Sequence, residues 1–187
     1  MAGRQHGRSG ALRRPVGAEL RSMSAASPAQ VYDALADLAT HVTWGGERQA
    51  KTTRLTEIHA DETPALVGTE FTSAGLDPMG RFEDRSVVTE AEPGRTFAFV
   101  TDARLRTTHG QVVDWTVEHR YELTPSDGGC AITYRYRVAR LSAVPGALRL
   151  FNVPGISAIL MKVSAGVARR GLRNLGPYVE ERVGAAA

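Results

Sequence analysis

The stretch ISAILMKVSAGVARRGLRNLGPYVEERV, residues 156–183, decides the fold. Ile156, Ile159, Leu160, Val163, Val167, Leu175, Tyr178 and Val179 recur at the three-and-four spacing that aligns side chains on one helical face. Lys162, Arg169, Arg170, Arg173, Glu180, Glu181 and Arg182 supply the polar face. A helix this long is marginal on propensity alone and needs a large apolar partner. Gly176-Pro177 predicts a kink or an early end, because proline removes a helical hydrogen bond. Gly166 and Gly171 predict close approach to the partner surface.

The partner is a series of strands. Val113, Trp115, Val117, His119, Tyr121 and Leu123 share one face, while Asp114, Thr116, Glu118, Arg120 and Glu122 share the other. Pro125-Ser126-Asp127-Gly128-Gly129 reverses the chain. Cys130, Ile132, Tyr134, Tyr136 and Val138 then repeat the inward face. Period-two alternation means one buried and one wet face, the mark of an antiparallel sheet covered on one side. Earlier strands are predicted over 17–25, 52–60, 68–74, 81–91 and 95–105, with turns at Asp61–Pro64, Gly75–Pro78 and Pro93-Gly94.

A first helix is signalled by Ser27 as N-cap, Pro28 at the first position and Gln30 closing a capping box. Val31, Leu35 and Leu38 mark its buried side, and His41 to Gly46 predicts a short turn or helix ending at the glycine pair. The connector 142–155 holds Pro145-Gly146 and Pro154-Gly155 around Leu148, Leu150 and Phe151. Connectors normally run over wet surface, so an apolar one either packs over the sheet or caps an apolar opening.

The formal net charge of +3 belongs to one end. Residues 1–15 carry Arg4, Arg8, Arg13 and Arg14 without an acid, which leaves 19 basic against 20 acidic residues elsewhere. That segment is predicted to be a disordered basic tail and residues 16–183 one domain. The near-neutral domain offers no basic patch with stacking aromatics, so nucleic acid is not an expected partner. No apolar run reaches membrane-spanning length, and the tail lacks the apolar core of a secretory signal, so a cytoplasmic protein is expected. Cys130 is the only cysteine, so no intramolecular disulfide forms. The histidines are scattered without zinc-ligand spacing, and no Gly-x-Gly-x-x-Gly, Walker or Gly-x-Ser-x-Gly pattern occurs; no metal or cofactor is expected.

The order strand, helix, turn, six strands, long helix resembles the START-like helix-grip superfamily, and within it the polyketide cyclase/dehydrase branch known as SRPBCC. SPAQVYDALADLATHVTW (27–44), VGTEF (67–71) and VVTEAEPGRTFAFV (87–100) are similar to that family's first helix, third strand, and fourth and fifth strands with their turn. The resemblance covers roughly residues 17–182. It implies an α+β fold, a curved antiparallel sheet wrapped around the long C-terminal helix, with an internal cavity. The family has no universal catalytic motif, so the resemblance implies a cavity rather than a reaction.

The inward face supplies the candidate site. His119 sits among apolar neighbours, where a histidine is more often a hydrogen-bonded core residue than a catalyst. Its chemical reading is a general acid or base at the cavity wall. Tyr121, Tyr134 and Tyr136 face the same interior, and a buried phenol needs a partner. The parity Phe82, Asp84, Ser86, Val88 sends Asp84 inward to pair with His119 or a tyrosine; the opposite parity buries Val87 and leaves Asp84 exposed or salt-bridged, the commoner outcome. Phe71 and Phe99 are lining candidates. Trp44 lines the mouth or packs, and Trp115 reads first as core. Leu150 and Phe151 read as core or as a gate, and Leu160 and Val163 close the cavity from the helix. The expected ligand is small and hydrophobic, either aromatic, polyketide-like or lipid-like. Laid over these residues, the resemblance implies cyclisation or dehydration of a polyketide-like substrate, or carriage or sensing of a hydrophobic metabolite without catalysis; a third reading is an interaction module that keeps the fold and fills the cavity.

Overall fold

The computed structural model describes residues 16–49, 51, 53–141 and 154–185, the side chains of 16, 141 and 154–165 excepted. The expected disorder of the tail and the expected roles of Leu150, Phe151, Leu160 and Val163 lie outside the described residues. Seven strands run β1 (Val16–Ser24), β2 (Arg54–Ala60), β3 (Glu70–Asp77), β4 (Gly80–Glu92), β5 (Thr96–Thr107), β6 (Val112–Ser126) and β7 (Gly129–Leu141). They form one antiparallel sheet in the order β1-β7-β6-β5-β4-β3-β2. Helix α1 (Pro28–Ala36) follows β1, and helix α2 (Pro154–Gly184) closes the chain.

Register shifts at Leu55/Glu57, Val88/Glu90 and Thr116/Val117 break the ladders, and bulges of this kind bend and twist a sheet. The inner face is built in rows across the strands. One row joins Phe71, Ser86, Thr101, Val117 and Val138. The next joins Val88, Phe99, His119, Tyr136 and Ala18, and a third Phe97, Tyr121, Tyr134 and Leu20. Leu35, Leu38, Phe97, Ile132 and Leu175 are fully buried in the core between sheet and helices. Full burial of such side chains contributes roughly 1.5–3 kcal/mol each. The outer face is wet and ion-paired: Arg135 joins Glu19 to Glu122, Arg120 bridges Glu122 and Glu90, and Arg137 pairs with Glu118 at 2.7 Å. These exposed pairs set sheet register more than stability.

The capping box of α1 is present. Ser27 Oγ accepts from the Gln30 backbone N–H, and the Gln30 side chain accepts from the Ser27 N–H. Val31 and Leu35 are fully buried beneath it. Four local expectations are corrected. The chain does not stop at Gly45-Gly46 but runs through them in a π-helical turn, Thr43–Glu47, because Gly46 lies against the Leu55 carbonyl where no Cβ would fit. Strand β3 does not break at Gly75, where a Cβ would strike the Phe82 ring; the glycine makes room for an aromatic side chain. Helix α2 does not end at Gly176-Pro177. Burial of Leu172 and Leu175 before the proline and Val179 after it offsets the one lost hydrogen bond. Finally, Gly166 touches nothing, whereas Gly176 approaches β1 closely and Gly171 approaches Trp44 and Gln49.

Polar clasps fix α2 in place. Glu180 Oε1 accepts from Ser24 Oγ and from the Ala25 N–H. The Asn174 side-chain amide donates to the carbonyls of Trp44 and Arg48, so it caps the π-helical turn. The helix thereby holds the 43–48 turn, whose Gly46 also lies against Leu55 of β2.

Candidate functional site

Strand alternation brings His119, Tyr121, Tyr134 and Tyr136 onto the concave face, as their spacing predicts. His119 lies parallel to Phe99 with ring centroids 4.5 Å apart, and its Nδ1 is 2.7 Å from Tyr134 Oη. The Tyr121 and Tyr134 rings stack on each other with centroids 4.5 Å apart. Tyr136 Oη is buried with no hydrogen-bond partner among the described residues. An unpaired buried hydroxyl costs about 1–3 kcal/mol unless something else satisfies it.

A second histidine joins this group. His41 is buried after α1, with its Nε2 2.9 Å from the Leu35 carbonyl oxygen. A carbonyl only accepts, so Nε2 carries the proton. Its ring packs on Trp44 at 4.6 Å, and Trp44 Nε1 donates to Thr40 Oγ1. Trp44 is therefore packed rather than lining a mouth, and is 5% exposed. Sequence reasoning noticed the segment but not the histidine, because one polar residue in an irregular turn has no period to betray it. Trp115 is half-buried on its regular strand and packs against the core. Phe71 and Phe99 pack edge to face, 5.4 Å apart, on the inner face.

The electrostatics favour uncharged groups. Burial pushes His41 down to about 4, and burial together with the neighbouring His41 pushes His119 down to about 4. Burial raises the phenols of Tyr121 and Tyr134 above their ordinary value. At neutral pH the cluster is thus a neutral imidazole among neutral phenols, able to donate and accept hydrogen bonds but a weak base.

Asp84 faces inward, with the parity of Phe82, Ser86 and Val88, while Val87 is exposed. The expectation of an exposed or salt-bridged Asp84 is corrected: its Oδ1 is buried and has no partner among the described residues. Burial pushes it up to about 7, partly opposed by the Arg104 backbone N–H. The expected pairing of Asp84 with His119 does not form. Asp84 aligns through Ala103 with Trp115, four residues from His119 along β6 and two strands away. At about 3.4 Å per residue and about 4.8 Å per strand, the Cα atoms stand roughly 16 Å apart.

A groove of about 900 Å³ is lined by the charged outward side chains Glu83, Arg85, Asp102 and Arg104 and also by Asp84, Ala103 and Trp115 of the Asp84 row. Its rim is exposed and ion-paired, with Arg104 on Asp114 at 2.7 Å, which makes it a poor seat for an apolar ligand. Among the described residues no three His, Cys, Asp or Glu side chains gather as metal ligands would, and no helix is long and apolar enough to cross a membrane.

Solved structures share the architecture. An uncharacterised protein of Rhizobium leguminosarum superposes with TM-score 0.62 at 11% identity, covering 90% of this chain and 96% of its own. The di-domain ARO/CYC StfQ from the steffimycin biosynthetic pathway gives TM-score 0.60 at 16% identity, over 91% of this chain and 52% of its own. Ara h 8.0201 gives 0.56 at 13%, over 90% and 99%. At these identities the likeness shows the START-like helix-grip fold alone. No curated protein matches the chain in sequence. A family model does, over residues 16–180, from β1 almost to the end of α2. The chain belongs to the polyketide cyclase / dehydrase and lipid transport family.

Proposed function

We propose that this protein binds a small hydrophobic ligand, of aromatic, polyketide-like or lipid-like kind, on the concave face of its sheet. One observation carries the reading: Tyr136 Oη is buried without a partner beside the His119–Tyr134 hydrogen bond. The surrounding wall is apolar, built of Phe71, Phe99 and Val88. A few convergent polar atoms in an apolar wall are the ordinary make-up of a small-molecule site. The family description, which joins cyclases and dehydrases with lipid transport, supports the same ligand class.

A second reading is aldol-type cyclisation or dehydration of a bound polyketide-like chain. It is favoured by the His119–Tyr134 contact and by the ARO/CYC designation of StfQ. In it His119 would take a proton from carbon while Tyr134 holds a substrate oxygen. The depressed basicity of His119 weighs against this and places recognition first.

Native mass spectrometry of the purified protein, followed by extraction, tests the proposal. A retained aromatic, polyketide or lipid adduct supports it. A clean apo mass combined with failure of hydrophobic fluorescent probes to bind at any concentration overturns it. With a ligand in hand, His119→Ala separates the two readings. Recognition alone predicts a modest loss of affinity. Catalysis predicts lost turnover with binding mostly kept.

A further inference from the structure

The concave face carries two polar groups with unmet hydrogen-bonding capacity, and they are far apart. One is Tyr136 Oη, next to the His119–Tyr134 pair; the other is Asp84 Oδ1. Asp84 as a residue is half-buried and lines the open groove, but its Oδ1 is shielded from water. The row beyond it, Phe82, Leu105 and Val113, is apolar, and Leu105 and Val113 are 2% and 6% exposed. The row it belongs to holds Ser73, Ala103 and Trp115, with Ala103 buried and Trp115 half-buried. No basic side chain pairs with Asp84 among the described residues, and the only group recorded as stabilising its charge is the Arg104 backbone N–H. A buried carboxyl group without a partner is costly, and such a group persists where something else completes it.

The rows between the two ends are apolar or internally satisfied. Ser86 and Thr101 hydrogen bond to each other at 2.9 Å and ask nothing of a ligand. Phe71 and Phe99 pack nearby on the same face. The face therefore reads as polar end, aromatic middle, polar end.

Resting on the ligand-binding reading above, we propose that Asp84 is the second polar anchor of this site, and that the ligand is an elongated aromatic molecule with an uncharged oxygen function at each end, about 10–14 Å apart. That is less than the roughly 16 Å between the Asp84 and His119 Cα atoms, because each side chain and its hydrogen bond reach towards the ligand. One oxygen meets the His119–Tyr134–Tyr136 group. The other meets Asp84, which as a buried acid donates to a carbonyl or hydroxyl oxygen. Trp115 and Phe99 flank the rings between.

The test compares two fluorescent probes, trans-4,4′-dihydroxystilbene, whose hydroxyls can reach both ends, and trans-4-hydroxystilbene, which has only one. Affinities are measured for wild type, Asp84→Leu and the nearly isosteric Asp84→Asn. Wild type should bind the dihydroxy probe about tenfold more tightly, the value of one hydrogen bond of about 1.4 kcal/mol. Asp84→Leu should bind both probes equally, with the monohydroxy affinity at or above wild type. Asp84→Asn, which keeps a donor, should retain part of the preference. Equal binding of both probes by wild type, or a preference that survives in Asp84→Leu, overturns the anchor while leaving the ligand site standing. Failure of both probes to bind wild type overturns both.

Discussion

His119 Nδ1 and Tyr134 Oη lie 2.7 Å apart, with their rings nearly parallel at 13°. They come from adjacent strands of one ladder, and the Tyr134 ring also stacks on that of Tyr121. Removing the Tyr134 oxygen strands His119 Nδ1 in a largely apolar wall. Tyr134→Phe should therefore destabilise the fold by about 1–3 kcal/mol in urea unfolding and weaken ligand binding roughly tenfold. A variant with wild-type stability and affinity would reduce the tyrosine row to packing.

The two histidines, His41 buried and His119 half-buried, make a pH prediction with a definite sign. Their folded values are about 4, against about 6.5 unfolded. Between those values the unfolded chain binds more protons, so stability falls as pH drops from about 6.5 towards 4. Asp84 works the other way, because its folded value of about 7 means the native state holds its proton longer. The histidines outnumber it, so the net effect is a loss on acidification of up to about 1.4 kcal/mol per pH unit. His119→Gln should flatten that slope in denaturation midpoints measured from pH 7 to 4.5. An unchanged slope would mean that His119 titrates normally and is open to water.

Much of the fold was legible because its signals are local and periodic. The alternation of 113–123 and 130–138 forces one face inward, and the Ser27–Gln30 box marks the start of α1 unambiguously. The same parity placed His119 and the three tyrosines on that face. Asp84 resisted because Val87 and Val88 satisfy either parity, and the bulge between Val88 and Glu90 shifts the register beside them. His41 resisted because its burial comes from tertiary contact with Trp44 and Leu35. Glycine misled in both directions. Gly75 reads as a breaker but accommodates Phe82, and Gly176-Pro177 reads as a kink or early end but Gly176 seats α2 on β1.

That last contact is testable. A Cβ at Gly176 would stand 2.9 Å from the Met23 carbonyl oxygen, a backbone atom that cannot swing away. In an exposed helix Gly→Ala would stabilise by about 1 kcal/mol. Here Gly176→Ala should instead destabilise by about 1–3 kcal/mol, because the helix must lift from β1 and strain the Glu180–Ser24 clasp. Thermal melts of Gly176→Ala beside the control Gly184→Ala, where a Cβ meets nothing, decide it.

Asp84 makes a prediction that needs no ligand. An acid held up at about 7 from its ordinary 3.8 binds its proton more tightly folded than unfolded. Its cost to stability is absent at low pH, grows as pH rises past the unfolded value, and is complete above the folded one. Asp84→Asn keeps the shape and removes the charge. The variant should thus match wild type near pH 4 and exceed it by on the order of 1–3 kcal/mol above pH 8, a range discounted for the partial exposure of the residue. Urea midpoints at the two pH values give the difference directly. A gain equal at both would assign the effect to the amide's hydrogen bonds. No gain at pH 8 would mean that water or a cation already satisfies the carboxylate, and the orphaned oxygen would lose its claim on a ligand.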